Sequence, residues 1–217
     1  PTARAMDLGF SNSFRLEFEA ADVFPVAEDV IRTRPYRIGW LIKSMDVDSA
    51  SIRYRCFHFA RVLAPRFQSV YFTSTNELQH ELPKLDAIIV VKRIDKTLPG
   101  LVAKARLYDV PVFLDLCDDL LRPGYVKNEF GVNLLRFLGM APFLAGVTVP
   151  SAEMADRMQG YITDNGLPQI PVHVVPDIAE TWDMFRSTHQ SVTGRTLPAR
   201  LPPASEPESP GRRKVVW

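Results

Sequence analysis

The stretch RIGWLIK (residues 37–43), followed by SIRYRCFHFARVL (residues 51–63), decides the fold class of this chain. The first piece is a short, nearly continuous apolar run, which is typical of a strand buried on both faces. The second piece has apolar residues at helical spacing, so it predicts a helix. A polar loop at residues 44–51 joins the two. The opening of the regular part of the chain is therefore a buried strand that leads into a helix.

The same alternation continues along the chain. Further short apolar strands are predicted at residues 69–73, 85–92, 112–116, 147–149 and 172–175. Helices are predicted at about residues 98–108, 134–144 and 151–165 from the 3.6-residue period and the terminal signals. Strands that alternate with helices favour a parallel sheet, and right-handed crossovers make it doubly wound. The sequence therefore predicts an α/β fold, a Rossmann-like doubly wound parallel sheet of about six strands with helices on both faces.

Composition changes divide the chain, whose 217 residues suffice for one domain or two small ones. We expect a lead-in segment at residues 1–36 and one domain at residues 37–186. Residues 187–212 are polar and proline-rich, which is typical of a linker. Residues 213–217 look like the opening strand of a further domain, so we expect a fragment of a longer protein. An unpaired terminal strand would favour self-association.

The overall composition excludes several classes of protein. The net charge is +1, which gives no reason to expect a nucleic-acid partner. Cys56 and Cys117 form neither a disulfide framework nor a metal-ligand spacing, and reduced thiols favour a cytoplasmic protein. No metal is required by any motif. No apolar run reaches the roughly 18 residues that span a bilayer, so any membrane contact is expected to be peripheral.

Polar residues at predicted helix N-termini are the first candidates for a site, since ligands of open α/β sheets bind outside the carboxyl ends of the strands. Arg53 and Arg55 oppose the helix dipole at a cost of about 0.3–1 kcal/mol each. A phosphate or another anionic group bound at that helix end would explain why two arginines lie there. Pairing with Asp46 or Asp48 is the alternative. Ser151 is predicted to cap its helix, with a ligand contact as a second interpretation.

Polar residues at two predicted strand ends are the other candidates. Asp118 and Asp119 follow the strand at residues 112–116, where a carboxylate could take a proton from a ligand hydroxyl or bind it. Aspartate is equally common in turns and helix caps. Lys92 and Arg93 end the strand at residues 85–92 and could hold an anionic ligand. Their alternative is an ordinary solvated strand end.

Several motifs, in their order and spacing, resemble one known family. Two of these motifs are RIGWLIK and SIRYRCFHFARVL, quoted above. The others are LDAIIVV (residues 85–91), VFLDLCDD (112–119), GVTVPSAEMA (146–155), VHVVPD (172–177) and KVVW (214–217). Together they resemble the N-terminal, acceptor-side domain of bacterial glycosyltransferases with the two-domain GT-B fold, of the family 1 and family 4 kind. The chain departs from the family in two places: the first loop has no glycine, and Ile178 stands where the last motif carries glycine.

The resemblance implies an enzyme that moves a sugar from a nucleotide-sugar donor to a glycan or lipid-linked acceptor, as in polysaccharide biosynthesis. It implies that this domain binds the acceptor and no cofactor, that the missing C-terminal domain binds the donor, and that this fragment alone is inactive. The segment at residues 133–144, which carries Arg136, fits either a membrane-facing helix or a buried one. The alternative function is a non-catalytic Rossmann-like protein-interaction module.

Overall fold

The computed structural model describes residues 34–64, 66–124 and 131–198. The strands are β1 Tyr36–Leu41, β2 Phe67–Phe72, β3 Ala87–Val91, β4 Val112–Asp115, β5 Gly146–Val149 and β6 Val172–Val174. The helix α1 is one run of three segments, Ala50–Ile52, a π-helical turn Arg53–Phe57, and His58–Leu63. The other helices are α2 Thr75–Glu81, α3 Leu98–Leu107, α4 Val132–Met140, α5 Ala152–Asp164 and α6 Trp182–Thr193, with 3-10 turns at Leu82–Lys84 and Ala141–Phe143.

The strands form one sheet in the order β2-β1-β3-β4-β5-β6, and every neighbouring pair is parallel. The predicted α/β, Rossmann-like parallel sheet is therefore confirmed. The order of the strands reverses between β1 and β3, because the chain runs first to β2 and then back across β1. Such a switch point leaves a crevice at the carboxyl ends of the strands, and ligands of open α/β sheets bind there.

Two apolar clusters cover the two faces of the sheet. The smaller cluster lies beneath α1 and includes Ile38, Trp40 and Cys56, with Val192 of α6 packed against it. The larger cluster holds the buried residues of α2, α3, α4 and α5 on the strands. Helices cover both faces of the sheet. This explains why the strand sequences are nearly continuous apolar runs, since side chains on both faces are shielded from water.

The structure differs from the sequence prediction in two helices. The helix α2 was not predicted, because its sequence TNELQHE has a single apolar residue, Leu78, to signal a helical face. The helix α6 lies where the linker of residues 187–212 was predicted to begin, so residues 187–193 are helical. Residues 199–212, the terminal strand at 213–217 and most of the predicted lead-in lie outside the described residues.

Candidate functional site

Lys92 and Asp118 meet at the carboxyl edge of the sheet. Val91 pairs in register with Asp115, and the Lys92 N–H donates to the Asp115 carbonyl at 2.8 Å, so the chain leaves β3 and β4 side by side. The Lys92 ammonium forms an ion pair with the Asp118 carboxylate, and the side chains are 33% and 41% exposed. Lys92 has a φ of 47°, a left-handed conformation that is uncommon for residues other than glycine. The pair is therefore partly exposed at the carboxyl edge of the sheet.

Asp119 points away from Asp118 toward α5. Its carboxylate accepts hydrogen bonds from the Tyr161 hydroxyl at 3.2 Å and from the Arg122 N–H at 3.1 Å. The Arg157 guanidinium lies 3.6 Å from it. The bond to the Arg122 N–H is the turn contact that the sequence offered as the alternative. The two candidate catalytic carboxylates therefore occupy different surroundings, and Asp118 is the more exposed of the two.

Arg55 is buried in an ion pair that crosses from α1 to the sheet. Its guanidinium donates to the Asp115 carboxylate, with Nε 3.1 Å from each oxygen, and to the Val175 carbonyl. The Asp177 carboxylate is a further partner at 3.4 Å. The Thr148 hydroxyl completes the shell of Asp115 at 2.5 Å. With its side chain 1% exposed, Arg55 is part of the interior rather than of an open site.

Arg53 pairs with a carboxylate far away in the chain. Its Nε and Nη2 donate to Glu180 at 2.8 Å and 2.9 Å, and its Nη1 donates to the Val47 carbonyl at 2.8 Å. The His58 Nε2 lies 2.8 Å from the same carboxylate. The guanidinium also lies 4.6 Å from the ring centroid of Phe185 on α6, at cation–π distance. The expected alternative partners of the two arginines, Asp46 and Asp48, are replaced by Glu180 and Asp115.

Burial sets the protonation of His58. Loss of hydration lowers the pKa of His58, and the contact with Glu180 offsets this only in part. The neutral ring then carries its proton on Nε2, because Nε2 faces a carboxylate and the buried Nδ1 has no hydrogen-bond partner among the described residues. His58 therefore acts as a neutral hydrogen-bond donor at neutral pH.

Arg53 and Arg55 both lie in the π-helical turn Arg53–Phe57, and both are buried. In this turn the His58 N–H bonds to the Arg53 carbonyl, which widens the helix by one residue. Arg53 then faces α6 while Arg55 faces the sheet. No side chain caps the N-terminus of α1 at Ser49. The unfavourable placement of two cations in these turns is thus offset by the internal carboxylates of Asp115 and Glu180.

The remaining predicted residues have local roles. Arg93 forms an ion pair with Asp95 and donates to the Thr73 carbonyl at 2.9 Å. Ser151 caps α5, since its Oγ accepts the Met154 N–H at 3.2 Å. The helix cap predicted for Ser151 is thus confirmed, and the contacts of Arg93 are local ones at the end of its strand.

Sequence reasoning missed Glu180 and the contribution of His58. Glu180 lies on the connection between β6 and α6 and is 127 residues away from Arg53, so no local spacing could link them. The available signal was the presence of two arginines near the N-terminus of a helix. Their unfavourable position indicates that carboxylates from other parts of the chain pair with them.

Exposed apolar side chains lie on α4 and on the 3-10 turn that follows it. Val132 and Leu135 are 37% and 66% exposed and share one face of α4, three residues apart, while Phe143 of the turn is 44% exposed. We call these three residues the apolar stripe. Arg136 on α4 reaches the Ile94 carbonyl at 3.4 Å. Of the two interpretations of this segment, the structure shows a helix with one face in the core and an apolar face toward solvent.

Other chemistries find little support among the described residues. No group of three or more His, Cys, Asp or Glu side chains is arranged to hold a metal ion in residues 34–64, 66–124 and 131–198. Cys56 and Cys117 are free thiols, and burial raises the pKa of Cys117 to about 12, so it is a poor nucleophile at neutral pH. Within these same ranges, no helix has the length and apolarity needed to cross a membrane.

No protein-family model matches the chain. No curated protein matches it either.

Proposed function

We propose that this chain is the acceptor-side domain of a two-domain GT-B glycosyltransferase. In this proposal a second domain holds the nucleotide sugar, and the carboxyl edge of the sheet holds the acceptor. The observation that carries the proposal is the Lys92–Asp118 pair, a partly exposed carboxylate and ammonium at the strand ends beside the switch point. Ligands of doubly wound sheets bind at this position.

Each residue of the pair has a chemical task in the proposed reaction. The Asp118 carboxylate accepts a hydrogen bond from the acceptor hydroxyl. In an inverting reaction it also takes the hydroxyl proton while the oxygen attacks the anomeric carbon and the nucleotide leaves. Lys92 holds Asp118 in place and offers a positive charge to an anionic acceptor. Asp119, Arg93 and Ser151 are less suited to these roles, because their side chains bind Tyr161, Asp95 and the helix backbone, respectively.

If the acceptor is lipid-linked, the apolar stripe could contact the membrane. We include in the proposal that Val132, Leu135 and Phe143 touch the membrane surface that carries such an acceptor. Apolar side chains on one helix face are the usual means by which a protein lies on a bilayer without crossing it.

The test compares the protein that joins this domain to its donor domain with the chain of residues 1–217 alone. Release of nucleoside diphosphate is measured with a panel of UDP-, GDP- and ADP-sugars. Asp118→Asn is expected to lower kcat by about 10²–10⁴-fold, because a general base is lost. The matched control is Asp156→Asn, an exposed carboxylate on α5. Equal activity of the two variants, or tight nucleotide-sugar binding by the chain alone, would contradict the proposal.

One observation favours the alternative of a non-catalytic interaction module. Arg53 and Arg55, the predicted anion-binding residues, are both neutralised by carboxylates of the chain itself. If no nucleotide sugar is turned over or bound by either protein, the module becomes the leading interpretation.

A further inference from the structure

Arg53 and His58 together bind one carboxylate. Three N–H groups, from Arg53 Nε, Arg53 Nη2 and His58 Nε2, converge on the Glu180 carboxylate within 2.8–3.1 Å. The donors are buried, since Arg53 is 8% and His58 is 1% exposed. A guanidinium fork with a second donor beside it is the arrangement by which proteins recognise carboxylate and phosphate groups.

The donors and their acceptor belong to parts of the chain that differ in packing. Arg53 and His58 lie on α1, whose neighbours Ile52, Cys56 and Phe57 are buried in the smaller cluster. Glu180 lies on the connection at residues 175–181, which has no helix or strand of its own. We call this connection together with α6 the strap, residues 175–193.

The strap has few buried residues, although Val192 packs against the smaller cluster and the Phe185 ring lies beside the Arg53 guanidinium. Thr188 is the only buried residue of α6, whereas Met154, Met158 and Ile162 are buried on α5. Segments with few buried apolar residues open at a lower free energy than the core. Opening of the strap would carry the Glu180 carboxylate away from Arg53 and His58, because those donors lie on α1.

The three donors that bind the Glu180 carboxylate can also bind a phosphoryl group. Oε1 of Glu180 contacts both His58 Nε2 and Arg53 Nε, and Arg53 Nε is shared with Oε2. A terminal phosphate has three oxygens and can meet each donor separately. It also carries more charge than a carboxylate, which strengthens each bond to the guanidinium.

We propose that Arg53 and His58 are a binding site for a phosphate-bearing ligand and that Glu180 occupies this site as an internal competitor. The strap then acts as an autoinhibitory segment: the site opens when an external phosphate displaces Glu180, which turns to solvent. For its physiological ligand the inference rests on the proposed function, in which a phosphate-linked acceptor binds at this edge. Anion binding itself does not depend on sugar transfer.

The test measures the binding of inorganic pyrophosphate to the full chain by titration calorimetry at fixed pH and ionic strength. Glu180→Gln keeps the size of the side chain and removes its charge. Without the internal competitor we expect the affinity to rise by about tenfold or more, because a tethered competitor acts at a high effective concentration. Adding Arg53→Gln to Glu180→Gln should abolish the gain. The matched control Glu77→Gln, at an exposed glutamate of α2, should bind like the unmodified chain.

Two results would overturn the inference. The first is a folded Glu180→Gln variant whose pyrophosphate affinity equals that of the unmodified chain. The second is a gain that persists after Arg53→Gln. Should Glu180→Gln fail to fold, hydrogen exchange of the unmodified chain decides the question: pyrophosphate should speed exchange in residues 182–193 and not in α5, and unchanged exchange refutes the strap.

The outcome is separable from that of the proposed function. Pyrophosphate binding through Arg53 without sugar transfer by the two-domain protein would refute the glycosyltransferase and keep the anion site. Sugar transfer that depends on Asp118, together with an unchanged pyrophosphate affinity in Glu180→Gln, would keep the glycosyltransferase and refute the anion site.

Discussion

Replacing Asp115 by asparagine removes the charge that balances Arg55 in the interior. The two side chains are 4% and 1% exposed, so solvent cannot replace the lost carboxylate. With the asparagine oxygen in the place of Oδ1, its amide donor replaces Oδ2 and faces the Nε donor of Arg55. Breaking a buried ion pair from one side costs about 3–5 kcal/mol, since it leaves an uncompensated charge.

Urea unfolding followed by circular dichroism measures this cost. With an m-value of about 2–3 kcal/mol per molar urea, the midpoint of Asp115→Asn should fall by roughly 1–2.5 M. The double variant Arg55→Met with Asp115→Asn leaves no buried charge at this position, so it should regain at least about 1 kcal/mol relative to Asp115→Asn. Glu153→Gln, which breaks an exposed pair with Arg157, should not move the midpoint.

Two results would refute the reasoning about this pair. A loss below about 1 kcal/mol in Asp115→Asn would mean that water or Asp177 compensates Arg55. Strictly additive effects in the double variant would mean that the two charges are not coupled.

The stability of the fold should decline in mild acid because of His58. Its native pKa is lowered by burial, so the unfolded chain binds the proton more readily, and the free energy of unfolding falls as the pH drops from about 6.5 through the native pKa. Urea midpoints at pH 7.5, 6.5 and 5.5 should show this fall, and a His58→Gln variant whose midpoints fall just as steeply would contradict it. The apolar stripe makes a second prediction: Leu135→Ser should weaken co-sedimentation with anionic lipid vesicles, while Val62→Ser, at an apolar side chain of α1 that is 52% exposed, should not. Equal binding of both variants, or no binding by the unmodified chain, would remove the membrane contact from the proposal.

Local patterns in the sequence determined the elements and the class of fold. Apolar runs such as residues 37–43 and 85–92 are long enough for a buried strand, and their alternation with helices leads to a parallel sheet because consecutive strands need a crossover. The parallel sheet also brings all carboxyl ends to one edge. For this reason Lys92 and Asp118 could be placed at one site without knowledge of their contact.

Only the tertiary structure decided which charges meet. Arg53 finds Glu180 across 127 residues and Arg55 finds Asp115 across 60, distances over which sequence spacing carries no information. The sequence pattern predicted an ordinary helix over residues 51–63 and did not indicate the π-helical turn that contains these arginines. The order of the strands and the packing of α6 against α1 likewise depend on how the chain packs its two apolar clusters. Sequence signals for helices and strands extend over a few residues, whereas packing joins residues that are far apart in the chain.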